Sequence, residues 1–185
     1  MRSSIMLSIL APCLAACATL PPTQRTPFLP PDVFGIYQDN DIGAINQSAW
    51  AFASPANTSG NPAEAARAVV ALEYLPGELQ ENPRWAAMDQ ATKRHMGQAR
   101  DQLRQILGIR PDAPPQLVVN VLLSLSWELR TGNHDAAMQD LAAPIFTRPP
   151  ASTLQTLSNL PYVQAANLAT SRAEGQSFPV GGPRG

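Results

Sequence analysis

One thiol stands out by its neighbours. Cys17 follows Leu14-Ala15-Ala16, and ahead of these lies an apolar stretch from Ile5 to Leu14 broken only by Ser8 and Pro12. Arg2 and the amino terminus make the start positive. A positive start, a short apolar run and small residues before a cut site are the parts of an export signal, and must be set aside before any fold is argued. The apolar run is shorter than the roughly 20 residues needed to cross a bilayer. Other side chains suited to chemistry are few. Glu73, Glu78 and Glu81 bracket Pro76-Gly77, with Tyr74 and Trp85 close by. Paired carboxylates beside aromatic rings are the apparatus of sugar cleavage, one protonating the leaving oxygen while the other acts as nucleophile or base. His95 and His134 are the two histidines, and Asp39-Asn40-Asp41 is a short acidic run.

Leu14-Ala15-Ala16-Cys17 resembles the lipobox of bacterial lipoproteins at all four positions. The resemblance covers residues 1 to about 20. It implies diacylglyceryl transfer to the Cys17 sulfur, cleavage between Ala16 and Cys17, and acylation of the new terminus. Sulfur is the nucleophile and forms a stable thioether, while the small residues before it fit a tight peptidase pocket. Several acyl chains on one residue satisfy the two-signal requirement for lasting membrane attachment. Ala18 stands where an Asp commonly retains such proteins at the inner membrane, so the resemblance implies an outer-membrane anchor facing the periplasm.

Cleavage there takes 16 of the 185 residues and leaves 169, enough for one domain with its own core. Arg2 goes with the leader, so 12 basic and 14 acidic side chains remain, a formal charge of −2. No basic excess marks a nucleic-acid partner. Cys13 is lost and Cys17 acylated, so the mature domain has no thiol for disulfides, clusters or cysteine catalysis. The two histidines do not form a metal-binding pattern, and the acidic run lacks the later ligands of a calcium loop. No cofactor is expected. No Gly-x-Ser-x-Gly elbow, Ser-x-x-Lys or phosphate-binding glycine loop occurs.

The elements that must position these residues read as helices. Residues 17–33 carry Pro21, Pro22, Pro27, Pro30 and Pro31 and read as a polyproline-rich linker after the lipidated cysteine. Residues 34–174 read as the helical domain, and 175–185, rich in Gly and Pro, as a disordered tail. A first helix is expected near Asp41–Ala53, capped by Asp39 or Asn40. A second follows Asn61-Pro62-Ala63-Glu64, a capping-box-like start, and is expected to stop near Leu75, before Pro76-Gly77. A third is expected from Asn82-Pro83 to Gly108, with Trp85, Met88, Met96, Ala99, Leu103 and Ile106 on one face and His95 near it. The fourth, after Pro114-Pro115, is apolar except at Gln116, Asn120, Ser124 and Glu128, which makes it the expected central helix; a strand over Val118–Val121 is the alternative. A short fifth follows Gly132-Asn133, with Ala137, Met138 and Leu141 inward, and Ser152 to Ala173 is split by Pro161.

The expected fold is therefore all-α, six or seven helices in a bundle or a short helical-hairpin solenoid, behind a signal peptide and a Pro-rich stalk. Gly60-Asn61 and Gly132-Asn133, each with Ala five residues after the Gly, resemble the turn and second helix of a tetratricopeptide repeat. Their separation of 72 residues is about twice that family's period. Leu125 and Pro144 stand where that pattern needs small residues.

The resulting expectation is a membrane-anchored envelope lipoprotein, not an enzyme, whose helical domain docks an envelope protein or supports an assembly. Two other readings are a carrier of lipid or a small molecule between helices, and a cell-wall glycosidase using Glu78 and Glu81.

Overall fold

A computed structural model describes residues 26–36 and 38–177. The expected leader, the lipobox-like tetrapeptide and Cys17 lie outside the described residues, as does the expected tail from 178 on. Seven helices form the body: α1 (Asn40–Ala53), α2 (Pro62–Glu81), α3 (Gln90–Leu107), α4 (Pro115–Thr131), α5 (His134–Leu141), α6 (Pro150–Ser158) and α7 (Gln164–Ser177). Single-turn 3₁₀ segments at Pro55–Asn57 and Pro83–Trp85 connect α1 to α2 and α2 to α3. The all-α expectation is met. The helical period over Val118–Val121 prevails over the β-branched run, and α4 is continuous there.

The centre of the bundle is α2 and not α4. Thirteen of the 20 residues of α2 are buried, against five of 17 in α4. Small side chains decide this. Ala63, Ala65, Ala66, Ala68 and Ala71 are all buried in α2 and let α1, α3, α4 and α6 approach it closely. The bulkier α4 lies on the flank, and leaves Leu117 and Trp127 at the surface. The last helix, α7, rests on both α1 and α3. That contact between the first and last helices makes the molecule a closed bundle, not a solenoid.

Pro76 does not stop α2, which continues for five more residues to Glu81. Proline inside a helix removes one hydrogen bond and costs about 3 kcal/mol. Continuing the helix puts Leu79 into the core with Leu72 and Leu75, all fully buried, and that burial offsets the loss. Asn82 consequently caps the 3₁₀ turn at Pro83, and α3 begins later than its sequence signal suggests. Asp89 caps α3 instead, accepting from the Thr92 N–H and hydroxyl. These hydrogen bonds, and one from Gln176, hold the Asp89 carboxyl down at about 2. Gln176 belongs to α7, which runs to Ser177 through Gly175, so the start of the expected disordered tail is helix.

Of the linker expected over 17–33, residues 17–25 lie outside the described residues, and residues 26–33 belong to the body. From Thr26 on, the chain lies against the body, with Pro27, Leu29 and Phe34 buried. Gly77 makes this possible. A Cβ there would come within 2.7 Å of the Thr26 hydroxyl oxygen and 2.9 Å of the Thr26 Cα. Gly77→Ala is therefore expected to act in two directions. The helix gains about 1 kcal/mol of propensity, while residues 26–30 are pushed off α2. Limited proteolysis should show faster cutting in that segment, and the melting temperature should fall by only a few degrees, because the helix gain offsets part of the lost burial of Leu29. Unchanged cutting would mean that the segment is not seated on Gly77.

The two Gly-Asn turns share local geometry. Gly60 and Gly132 both have left-handed backbone (φ 72° and 78°), and Asn61 and Asn133 each cap a helix by accepting from the N–H three residues on. Their settings differ. Gly132 ends α4 directly, whereas Gly60 follows a 3₁₀ turn and donates its N–H to Ser158 of α6 at 2.8 Å. The likeness is thus one of stop-and-cap chemistry.

Candidate functional site

Each carboxylate singled out in the sequence has a separate setting, because α2 continues where a turn was expected. Glu73 is fully buried and forms a two-pronged ion pair with Arg104 of α3: Nε donates to Oε1 at 2.7 Å and Nη2 to Oε2 at 2.6 Å. Burial pushes its carboxyl up, and the guanidinium pulls the other way. Arg104 Nη1 also donates to the carbonyls of Pro111 and Ala113, at 3.1 and 3.0 Å, and so fastens the loop between α3 and α4. Glu81 is exposed and accepts from the Thr26 hydroxyl. Glu78 is half-buried and accepts from Asn82. Its carboxyl is raised, first by burial and then by the charge of Asp41.

The polar centre at this end of α2 is Asp41, in the first turn of α1. Its carboxylate accepts from the Tyr74 hydroxyl, from the Trp85 indole N–H at 3.0 Å and from Arg84 at 3.5 Å. Burial first, then Asp41, push the Tyr74 phenol up from its ordinary value. Arg84 also donates to Asp39 at 2.8 Å and lies 4.9 Å from the centre of the Trp85 ring. Against the slight burial that would raise it, Arg84 holds the Asp39 carboxyl below its ordinary value. Asp39 is the cap of α1, accepting from the N–H groups of Asp41 and Ile42. The acidic run thus serves as cap and as anchor for an aromatic pair. Arg84, Trp85 and Tyr74 join α1, α2 and the Pro83 turn through it.

His95 is half-buried, with its Nδ1 3.4 Å from Arg172 of α7, and His134 is exposed at the start of α5. Among the described residues no three His, Cys, Asp or Glu side chains converge as metal ligands. No helix among them is long and apolar enough to cross a membrane.

Five of the seven large apolar side chains at the described surface fall at the two ends of α2; Ile36, ahead of α1, and Leu168 of α7 are the other two. Near its C-terminal end, Gln116 of α4 grips the backbone of Phe28 from both sides, accepting its N–H at 2.7 Å and donating to its carbonyl at 3.1 Å. The Phe28 ring stays 71% exposed, and Leu117, next to Gln116, is 45% exposed. Leu117 also lines an open groove of about 210 Å³ with Ala113, Pro114, Pro144 and Ile145. Ser126 of α4 donates to the Ala63 carbonyl, so α4 runs antiparallel to α2 and carries Trp127 to the opposite end. The α1–α2 connection is at that end too. Trp50 is held there by Asn57, which donates to its carbonyl, and Tyr162 lines a cleft with Ser54, Pro55 and Thr58. Trp127, Tyr162 and Trp50 are 60%, 55% and 47% exposed. Sequence pattern alone assigned Trp127 to the core; only the flank position of α4 leaves it in water.

Compared with protein-family models, curated proteins and solved structures, the chain matches none.

Proposed function

We propose that this chain is an envelope lipoprotein, acylated on Cys17, whose helical body presents the end remote from its tether to a partner protein. The observation that carries the reading is polarity along α2. The described chain begins against Gly77 and Glu81, at the C-terminal end of α2, and three exposed aromatic side chains sit at the other. Tryptophan and tyrosine dominate binding energy at protein interfaces, because each covers a large area with few rotatable bonds. A tether at one end and aromatic anchors at the other suit a protein that holds something at a set distance from a membrane. The residues of the lipobox supply the tether.

Two measurements test it. Cys17→Ser should abolish incorporation of labelled palmitate and leave an uncleaved precursor or a released chain; undiminished labelling would rule out Cys17 as the acylated residue. A photoreactive phenylalanine analogue at position 127 should give a discrete protein adduct in living cells, and the same analogue at the exposed Asp101 should give none. Absence of an adduct at positions 50, 127 and 162 alike would count against this docking end.

A further inference from the structure

We propose that the tether end of the body is itself a membrane-contact surface, with Phe28 and Leu117 seated in the headgroup region of the bilayer that holds Cys17. The inference rests on the anchoring of Cys17 proposed above and adds a second contact to it.

Distance comes first. Nine residue steps separate Cys17 from Thr26, which is seated against Gly77, and a fully extended chain of that length reaches at most about 30 Å. The tether is therefore no longer than α2 itself, whose 20 residues span about 30 Å. The end of the bundle that receives Thr26 cannot move far from the lipid surface. At that end Phe28 is 71% exposed although its backbone is fixed at both N–H and C=O by Gln116. An aromatic ring kept in water by a rigid backbone clamp gains nothing for the fold. Leu117 follows Gln116 directly and continues the apolar surface into the groove of Ala113, Pro114, Pro144 and Ile145.

Charge is compatible with lipid. Arg110 and Asp112, which line the same groove, are paired with each other at 2.6 Å and cancel there, while the exposed Glu81 carboxylate at this end is tied to the Thr26 hydroxyl and must stay on the water side of the headgroups. Two apolar side chains are too little to bind a membrane from solution. A short tether raises the local concentration of surface so far that such a contact becomes populated.

The test uses the full lipidated chain in phosphatidylethanolamine–phosphatidylglycerol vesicles. The acylated mature protein has no other thiol, so Phe28→Cys, Leu117→Cys and Tyr162→Cys each accept one environment-sensitive fluorophore. Mass analysis first establishes the acyl chains on Cys17. The probes at 28 and 117 are expected to shift to the blue and to be quenched several-fold by lipids spin-labelled near the headgroup. The probe at 162 is expected to respond to neither. Acylated protein whose probes at 28 and 117 stay in water overturns the contact and leaves the anchor standing. A blue shift without quenching by lipid overturns it also, since the surface is then covered by protein. A bare Cys17 overturns the anchor and this surface together.

Discussion

Arg104→Ala is expected to lower the stability of the body by about 3–5 kcal/mol, measured by urea unfolding followed by circular dichroism. The physical reason is asymmetry. Glu73 has no exposed side-chain surface and Arg104 only 5%. A buried pair is of modest net value, but removing one partner leaves the other charge without water or counter-ion. Arg104 has further duties, since the carbonyls of Pro111 and Ala113 lose their donor with it. Glu73→Leu combined with Arg104→Met should therefore recover most of the lost stability, and not all. A shortfall of about 1–3 kcal/mol is expected from the two abandoned carbonyls. If Arg104→Ala were as stable as the wild type, the α3–α4 loop would have to be held by something other than this side chain.

Asp41→Ala should cost about 3 kcal/mol, the second largest effect. It takes the charged acceptor from two buried donors at once, the Tyr74 hydroxyl, which keeps Glu78 nearby, and the Trp85 indole N–H, which is stranded. Hydrogen bonds to a charged acceptor contribute about 1.5–3 kcal/mol each, and losses at both partners of one group are not additive. Asp41→Asn keeps one acceptor oxygen and should lose less. A double-mutant cycle with Tyr74→Phe separates this network from a simple cap: the coupling is expected to exceed about 1 kcal/mol. Coupling near zero would mean that Asp41 acts only through the first turn of α1.

Much of the helical plan is legible residue by residue. Asn61-Pro62 and Gly132-Asn133 mark starts that the structure keeps, because a cap needs only a side-chain oxygen and the next few N–H groups. Gly108 ends α3 in left-handed backbone for an equally local reason. Pro161 divides α6 from α7. Proline is less dependable than glycine here. Pro76 sits inside α2 because Leu72, Leu75 and Leu79 are buried together only if the helix goes on. Asn82-Pro83 has all the marks of a helix start, and yields a single 3₁₀ turn.

The candidate site was less legible. Glu73 alone interrupts the apolar run from Ala68 to Leu75, a place where a charge requires a partner. That was a readable signal, and Arg104 between Leu103 and Leu107 was its complement. Their spacing of 31 residues carries no periodicity that would join them. Asp41, Tyr74 and Trp85 present the same difficulty: three residues from three elements, each with an ordinary local explanation.

The sequence by itself determined the helical class, most of the caps and stops, the absence of a thiol after Cys17 and the lipobox-like tetrapeptide that ends there. All of these depend on neighbours a few positions away. Only the tertiary structure decided that Ala-rich α2 lies at the centre, that α4 lies on the flank with Trp127 in water, and that Thr26 is seated against Gly77 of α2. Those outcomes depend on which helix faces can approach most closely, a competition among distant segments that no local window contains.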